Sequence, residues 1–298
     1  MKELPNPTFP LSQIGLRAAL WPAPVVAGTA ATASATPKAP AAIGPAVVLP
    51  APVIEAKQGI TVGWARHQDD VRAAQRLRYE VFVGEMGARI STSLPGHDVD
   101  LFDDFCEHLL VRDELTQQVI GTYRVLTPAQ ARRVGSTYSD TEFDLTRLRD
   151  LRERMVELGR SCVHPEHRQG GVILALWGAL AGFMHRNKLD TMIGCASIPM
   201  SHNGVTCGDA AASIWRQLSA SHMAPIQYQV QPRLALPVER LDGSLDVEPP
   251  ALIKGYLRLG AKVLGAPAWD PDFNTADLPM LMRIDDLPAR YRKHFLGA

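Results

Sequence analysis

The run Glu157-Leu158-Gly159-Arg160-Ser161-Cys162-Val163-His164-Pro165-Glu166-His167-Arg168-Gln169-Gly170-Gly171 concentrates the chemistry of this chain. A carboxylate, Glu157, and a guanidinium, Arg160, stand three residues apart on a strand-like stretch from Met155 to Val163. Pro165 stops that stretch. A basic, glycine-rich turn with Arg168, Gly170 and Gly171 then opens an almost wholly apolar segment reaching Met184. Glycines let a backbone approach a phosphate closely, and the N–H groups and dipole at a helix start favour negative charge there. A base, a cation and a phosphate cradle on one short segment predict group transfer from a phosphate-bearing donor.

Upstream, His97, Asp98, Asp100, Asp103, Asp104 and Glu107 fall within eleven residues. The glycine bend and closing glutamate of a calcium loop are missing, so no metal is expected there. The stretch reads either as a solvated acidic loop or as carboxylates that receive a cationic amine. Arg78 lies one helical turn from Ala74 and from Phe82, near the edge of an inward face. Spacing alone leaves it as a snorkelling surface arginine or as a site residue.

The elements that position these residues follow from periodicity. Ile60–Ala65 alternates as a strand, and Asp69 or Asp70 can cap a helix with apolar positions at Val71, Ala74, Leu77, Val81 and Phe82. Residues 108–111 and 119–126 read as a hairpin. A helical and loop region over 128–152 precedes the central strand, Met155 to Val163. The segment from Gly171 to about Asn187 is apolar nearly all round and predicts a helix buried against a sheet. Further on come a strand at 191–196, a helix at 209–218, an extended segment at 226–236, a helix at 252–259, a strand near 278–284 and a terminal basic helix. Strands and helices mix without repeated βαβ units, which predicts an α+β domain with a twisted, mostly antiparallel sheet flanked by helices.

Bulk properties narrow the partners. At 298 residues the chain can bury a sizeable core, and its formal net charge of zero gives no reason to expect nucleic acid. Cys106, Cys162, Cys195 and Cys207 show no CxxC or zinc spacing. Most sit in or beside apolar runs as reduced thiols, which favours a reducing, cytoplasmic compartment. No apolar run approaches the roughly 20 residues that span a bilayer. Residues 22–52 hold seven prolines and eleven alanines with Lys38 as their one charge, so helix, sheet and core are all disfavoured there. Residues 1–57 are therefore expected to be a disordered Ala/Pro-rich segment, and 58–298 the folded domain. A secretory signal is the rival for the N-terminus, but Arg17, Pro22 and Pro24 interrupt its apolar stretch. Phe9, Leu11, Ile14, Leu16, Leu20 and Trp21 leave peripheral contact with the inner membrane open.

From about residue 60 onward the chain resembles the GNAT superfamily, in its acyl-carrier-protein-dependent N-acyltransferase branch. It is most similar there to the hemolysin-like L-ornithine Nα-acyltransferases that make lyso-ornithine lipid. The resemblance rests on ordered strings: Arg78-Tyr79-Glu80-Val81-Phe82 with Glu85-Met86-Gly87, Phe102-Asp103 through Cys106-Glu107-His108-Leu109-Leu110-Val111, and Gly121-Thr122-Tyr123-Arg124. Tyr138-Ser139-Asp140-Thr141-Glu142-Phe143-Asp144-Leu145 and Glu157-Leu158-Gly159-Arg160-Ser161-Cys162-Val163-His164-Pro165 follow. Late in the chain come Lys254-Gly255-Tyr256-Leu257-Arg258 and the run from Pro267 to Asp277. A cousin pattern, that of acyl-homoserine-lactone synthases, matches Arg78, Phe82, Asp100, Asp103, Arg124, Glu157 and Arg160 in order. Two departures favour an amino-acid acceptor over S-adenosylmethionine: Met86 stands near the synthases' tryptophan, and a longer insert separates Arg124 from Glu157. Ile173 also replaces the last small residue of the usual acetyltransferase loop, which suits a donor arm with one phosphate.

The resemblance implies transfer of a (3-hydroxy)fatty acyl group from acyl carrier protein, a co-substrate and partner rather than a bound cofactor, to the α-amine of ornithine. Glu157 would be the base, with Arg160 and Asp103 completing the catalytic set. Arg78, Phe82, Asp100 and Arg124 would line the substrate, with Asp100 and Asp103 either holding the acceptor's ammonium groups or bracing Arg124. Backbone N–H groups near Cys162 and Val163, at the strand's splay, would hold the oxyanion. Arg168, Gly170 and Gly171 would grip the phosphopantetheine phosphate. The competing expectation for Glu157 is a structural salt bridge to Arg124 or Arg160. His164 and His167 are expected to shape the turn, and an acyl-Cys162 intermediate is the rival to direct transfer. At the level of function the alternatives are an acetyl-coenzyme-A-dependent acetyltransferase, an acyl-homoserine-lactone-type synthase, and a catalytically silent binding module.

Overall fold

Side-chain alternation decides the architecture. In the strand Glu107–Asp113, Leu109 and Val111 face one way and Leu110 the other, yet all three are buried. Such a strand needs cover on both faces. The computed structural model describes residues 59–168 and 171–296. The tether expected over 1–57 lies outside the described residues, as does Gly170.

In chain order, β1 (Ile60–Trp64) leads to α1 (Gln68–Tyr79), which runs on into a π-helical segment, Glu80–Glu85. β2 (Glu107–Asp113) and β3 (Val119–Leu126) form the expected hairpin. α2 (Pro128–Val134), α3 (Ser139–Glu142) and β4 (Phe143–Asp144) precede β5 (Met155–Val163), which has the bounds expected of the central strand. Next come α4 (Val172–Arg186), β6 (Thr191–Pro199), β7 (Ser201–His202), β8 (Val205–Thr206), α5 (Asp209–Ser221) and β9 (Gln231–Pro232). The chain continues through α6 (Ala251–Arg258), β10 (Lys262–Val263), β11 (Ala268–Asp270), β12 (Thr275–Arg283) and α7 (Ala289–Leu296).

The main sheet runs β1-β2-β3-β5-β6-β12-β10, with β11 added on β12. Its pairings are antiparallel except β5 with β6. The expected twisted α+β architecture is therefore what forms. On one face α4 packs Val172, Leu176, Leu180 and Met184 with Ile60, Val62, Leu109, Val111 and Val125. On the other, Ala74, Leu77 and Val81 cluster with Leu110, Val119 and Cys162. α4 lies so close to β3 that a Cβ on Gly121 would sit 2.5 Å from Val172 Cγ1.

Local expectations change in three places. His67, not Asp69 or Asp70, is the N-cap of α1. Asp70 sits at the third helical position instead, and its Oδ2 accepts the N–H groups of Arg66 (2.9 Å) and His67 (3.3 Å). The extended segment expected at 226–236 is a 3-10 turn, Ile226–Tyr228, followed by the two-residue β9. β12 begins at Thr275, three residues before the expected strand, because Thr275, Ala276 and Asp277 find partners in both β6 and β11.

Two features of β5 position the site. It pairs with β6 only over Met155, Val156 and Glu157, opposite Thr191, Met192 and Ile193. Against β3 its register slips by one residue, from Cys162 opposite Thr122 to Gly159 opposite Arg124. Within this bulge Arg160 has a φ of 49°, a left-handed conformation uncommon for a long side chain. A bulge bends and over-twists its strand, and β5 parts from β6 beyond Glu157.

Candidate active site

The fork between β5 and β6 opens into a cavity of about 430 Å³. Glu157, Arg160, Cys162 and Val163 of β5 line it, with Phe82 from the π-helical segment. Tyr138, Ser139, Asp270 and Asp277 form a polar wall, and Ile173, Trp177, Leu252 and Tyr256 a largely apolar one. The π-helical turn sets Phe82 edge-on to Phe273, with ring centroids 5.6 Å apart.

Beside the cavity three arginines and three aspartates alternate in a closed ring. Asp98 Oδ2 accepts from Arg78 Nε (2.7 Å) and Arg160 Nε (3.1 Å). Asp100 accepts from Arg160 Nη2 (3.1 Å) and Arg124 Nη1 (2.5 Å). Asp103 accepts from Arg124 Nη1 (3.0 Å), from Arg78 Nη1 (2.9 Å) and Nη2 (2.8 Å), and from Gln75 Nε2 (2.9 Å). Arg78 is fully buried rather than snorkelling, because the ring neutralises its charge. Nor is the acidic stretch a solvated loop, since Asp98 and Asp103 are both buried. Burial raises the Asp100 and Asp103 carboxyls, but the guanidiniums outweigh it and hold both below the usual carboxylate range. Asp100 and Asp103 thus brace Arg124, with their charges already matched. Arg160 is held in addition between the rings of Tyr138 and Phe273, its guanidinium carbon 4.7 Å from each centroid.

Glu157 differs from these groups. It is buried, and its two oxygens accept backbone N–H groups at the start of α3, Oε2 from Tyr138 (2.7 Å) and Oε1 from Ser139 (2.6 Å). Among the described ion pairs it has none with Arg124 or Arg160. Burial raises its pKa, overriding the hydrogen bonds from Ser139 and Tyr138. An oriented carboxylate of raised basicity, lining a cavity, is chemically able to take a proton.

The splayed edge offers an oxyanion donor. His164 N–H donates to Ile120 O on the β3 side (2.8 Å), so strand alternation turns the Val163 N–H toward the opening and that of Cys162 toward β3. Val163 O, on the same side as its N–H, accepts from Arg168 Nε (3.1 Å). The Cys162 thiol is buried and pushed up to about 12, mainly by desolvation, which leaves it un-ionised at neutral pH. Arg168 pairs through both terminal nitrogens with Glu85 (2.6 Å each) and is half-exposed. Gly171 is the N-cap of α4. His164 caps the turn over Pro165–His167, accepting from Glu166 N–H (3.4 Å).

Sequence reasoning gave no role to Asp98, Tyr138, Asp270, Phe273 or Asp277. Asp98 was one acid among several. The other four lie within strings that carried the resemblance but show no catalytic spacing, because only the fold brings them to β5.

An antiparallel sheet forked at its one parallel pair, over a cavity holding a basic carboxylate, defines a GNAT-type acyltransferase. The family profile described as an acetyltransferase (GNAT) domain matches residues 77–178. Among curated proteins, the L-ornithine N(alpha)-acyltransferase of Rhodobacter capsulatus is 36% identical over 242 residues, covering 78% of this chain and 92% of that one. Its counterpart in Brucella abortus is 34% identical over 251 residues, covering 79% and 88%. The chain belongs to this L-ornithine N(alpha)-acyltransferase family. Among solved structures, a CoA-dependent acyl-homoserine lactone synthase with MTA aligns at a TM-score of 0.49 and 15% identity, covering 80% of this chain and 89% of that one.

Proposed function

We propose that this chain transfers a fatty acyl group, 3-hydroxylated in its lipid-forming form, from acyl carrier protein to the α-amine of ornithine, the first step of ornithine lipid synthesis. The observation that carries the reading is Glu157, a buried carboxylate of raised pKa lining the cavity at the fork, without a cationic partner among the described ion pairs. An α-amine with a pKa near 8 is mostly protonated at neutral pH and must lose its proton before it can attack. Glu157 takes that proton, directly or through water. The freed nitrogen bonds to the thioester carbonyl carbon, and the Val163 N–H supports the oxyanion. The carbon–sulfur bond then breaks, and the departing pantetheine thiolate takes up the second proton, which the attacking nitrogen sheds as it becomes the amide. Arg160, held by the ring, fixes the bulge that aims Val163. The wall of Ile173, Trp177 and Leu252 suits an acyl chain.

Support for a protein-carried donor comes from the glycine turn, where Ile173 occupies the place of a small residue and the single phosphate of a phosphopantetheine arm needs the shallower grip. Arg168, Gly170 and Gly171 would supply it, with Arg168 exchanging Glu85 for phosphate. No described helix is long and apolar enough to cross a membrane. A cytoplasmic enzyme resting peripherally on the inner membrane fits a soluble donor and a lipid-like product.

The test is incubation of purified protein with acyl carrier protein loaded with 3-hydroxyacyl chains and a panel of amino acids, with products read by mass spectrometry. N-acylornithine is expected. Acyl transfer from acyl-CoA alone would refute the carrier-protein donor, and an inert ornithine would refute the acceptor.

A further inference from the structure

The polar wall of the cavity carries charge that the protein does not neutralise. Asp270 and Asp277 line it at 6% and 4% exposure, and neither belongs to an ion pair among the described residues. Asp277 Oδ1 accepts from Thr275 Oγ1 (2.8 Å). Asp270 Oδ1 accepts the N–H groups of Asp272 (2.9 Å) and Phe273 (3.0 Å), and its Oδ2 accepts from the Tyr138 hydroxyl (3.4 Å). These bonds orient both carboxylates; Asp270 Oδ1 is filled by its two N–H donors, and Oδ2 of each carboxylate retains acceptor capacity. Burial, then the charge of Asp270, pushes Asp277 up to about 6. Glu142 is pushed up to about 8 by burial, then by Asp277 and Asp270. Arg160 acts on both as a cation, yet its own hydrogen bonds go to Asp98 and Asp100.

The placement of this wall relative to Glu157 suggests its ligand. Glu157 is level with Ile193 on β6, and Asp277 with Ser197. Ile193, Cys195 and Ser197 share one face of β6, so Glu157 and Asp277 stand on the same face, about 13 Å apart along the strand and, flanking β6, about 10 Å apart across the sheet. Their side chains lie along one cavity wall, with the raised base at one station and the unmatched acids at the other. A molecule with two amines separated by a short aliphatic spacer would satisfy both stations.

We propose that Asp277, with Asp270, forms the subsite for the second ammonium of the acceptor, which holds the side-chain amine of ornithine while the α-amine lies against Glu157. This rests on ornithine being the acceptor. The subsite sets specificity by rejection, since an acceptor without the second amine leaves two oriented, buried carboxylates without their cation.

The experiment compares kcat/KM for ornithine and for norvaline, which has the same carbon skeleton without the side-chain amine, using acyl carrier protein thioester as donor. With the native chain, ornithine is expected to lead by roughly 100-fold. In Asp277→Asn that ratio falls at least tenfold, mainly through KM for ornithine, and Asp277→Glu, which restores the charge, recovers part of it. A native enzyme that uses both amines equally overturns the subsite and leaves acyl transfer standing. So does an Asp277→Asn variant that loses both activities in proportion. A native enzyme that acylates neither overturns the subsite and the proposed function together.

Discussion

Two groups of buried acids border the same cavity, and they are built on opposite terms. In the ring, Asp98, Asp100 and Asp103 each bridge two of the arginines Arg78, Arg124 and Arg160. Across the fork, Glu157, Asp270 and Asp277 have no arginine partner among the described ion pairs. The ring ties α1, the 98–103 loop, β3 and β5 together, and one of its members is the strained Arg160 at the bulge. Its work is to hold the fork open in one shape. The other acids are oriented by hydrogen bonds but left short of positive charge, which suits groups that must take up a proton or a cation from outside. On the proposed reading, matched charge builds the site and unmatched charge is what it offers to a ligand.

The largest effect expected from this contrast is on turnover. Glu157→Gln keeps an oxygen for one backbone N–H but turns an amide NH2 on the other and removes the basic group, so kcat should fall roughly 10²- to 10⁴-fold while the thermal midpoint drops by only a few degrees. Initial rates alongside thermal unfolding would check it, and a folded variant with full turnover sinks the base assignment. The ring should answer in stability instead. Asp103→Ala leaves Arg78 and Arg124 buried without a shared partner, at an expected cost of about 3–5 kcal/mol by urea unfolding. Activity should be lost with it as the bulge relaxes. If Asp103→Ala folded normally but lost only catalysis, the ring would belong to the reacting groups and the contrast would fail.

How much of this could be read from the chain differs between the two groups. The bounds of β5, the buried α4 and the antiparallel sheet follow from periodicity, because burial imposes that pattern locally. The ring was half legible: the order of Arg78, Asp100, Asp103, Arg124 and Arg160 could be seen. That Asp98 closes it, and that Arg78 is fully buried, depends on a loop with no repeating pattern. The acids of the far wall were least legible. Asp277 stands 120 residues after Glu157 and reaches the cavity only because β12 pairs with β6, a long-range pairing that no local spacing encodes. Arg160's positive φ was likewise hidden, since the left-handed backbone falls on the arginine and not on its neighbour Gly159.

Asp100 and Asp103 of the ring should titrate in the opposite direction to Asp277 and the neighbouring Glu142. The depressed Asp100 and Asp103 contribute stability that is present above their unfolded values near 3.9 and lost as pH falls through their folded ones. The raised Asp277 and Glu142 act the other way: the folded state binds more protons than the unfolded, so stability falls as pH climbs from about 4 through about 6 and then about 8. The ligand-free enzyme should therefore melt a few degrees lower at pH 8.5 than at pH 5.5, with each lost kcal/mol worth roughly 2–4 °C. Glu142→Gln should shrink that gap. A gap unchanged in this variant would mean that the cost of ionisation does not sit at Glu142 beside Asp270 and Asp277.

The smallest effect belongs to Cys162, and it decides between direct transfer and a covalent relay. The thiol lines the cavity, and its position invites an acyl-cysteine intermediate. Yet burial pushes it up to about 12, so at pH 7 the thiolate fraction is on the order of 10⁻⁵. Desolvation is the leading cause, and its charged neighbours pull both ways, with Arg78 and Arg168 favouring the thiolate while Asp98 and Glu85 disfavour it. Direct attack by the amine needs no such nucleophile. Cys162→Ala should then lower turnover by less than about threefold, through packing alone, and intact-mass spectra of the native enzyme with donor but no acceptor should show no acyl adduct. A loss comparable to that of Glu157→Gln, or an acylated protein in those spectra, would move the reacting atoms from the unmatched carboxylate to the sulfur one strand turn beyond the bulge.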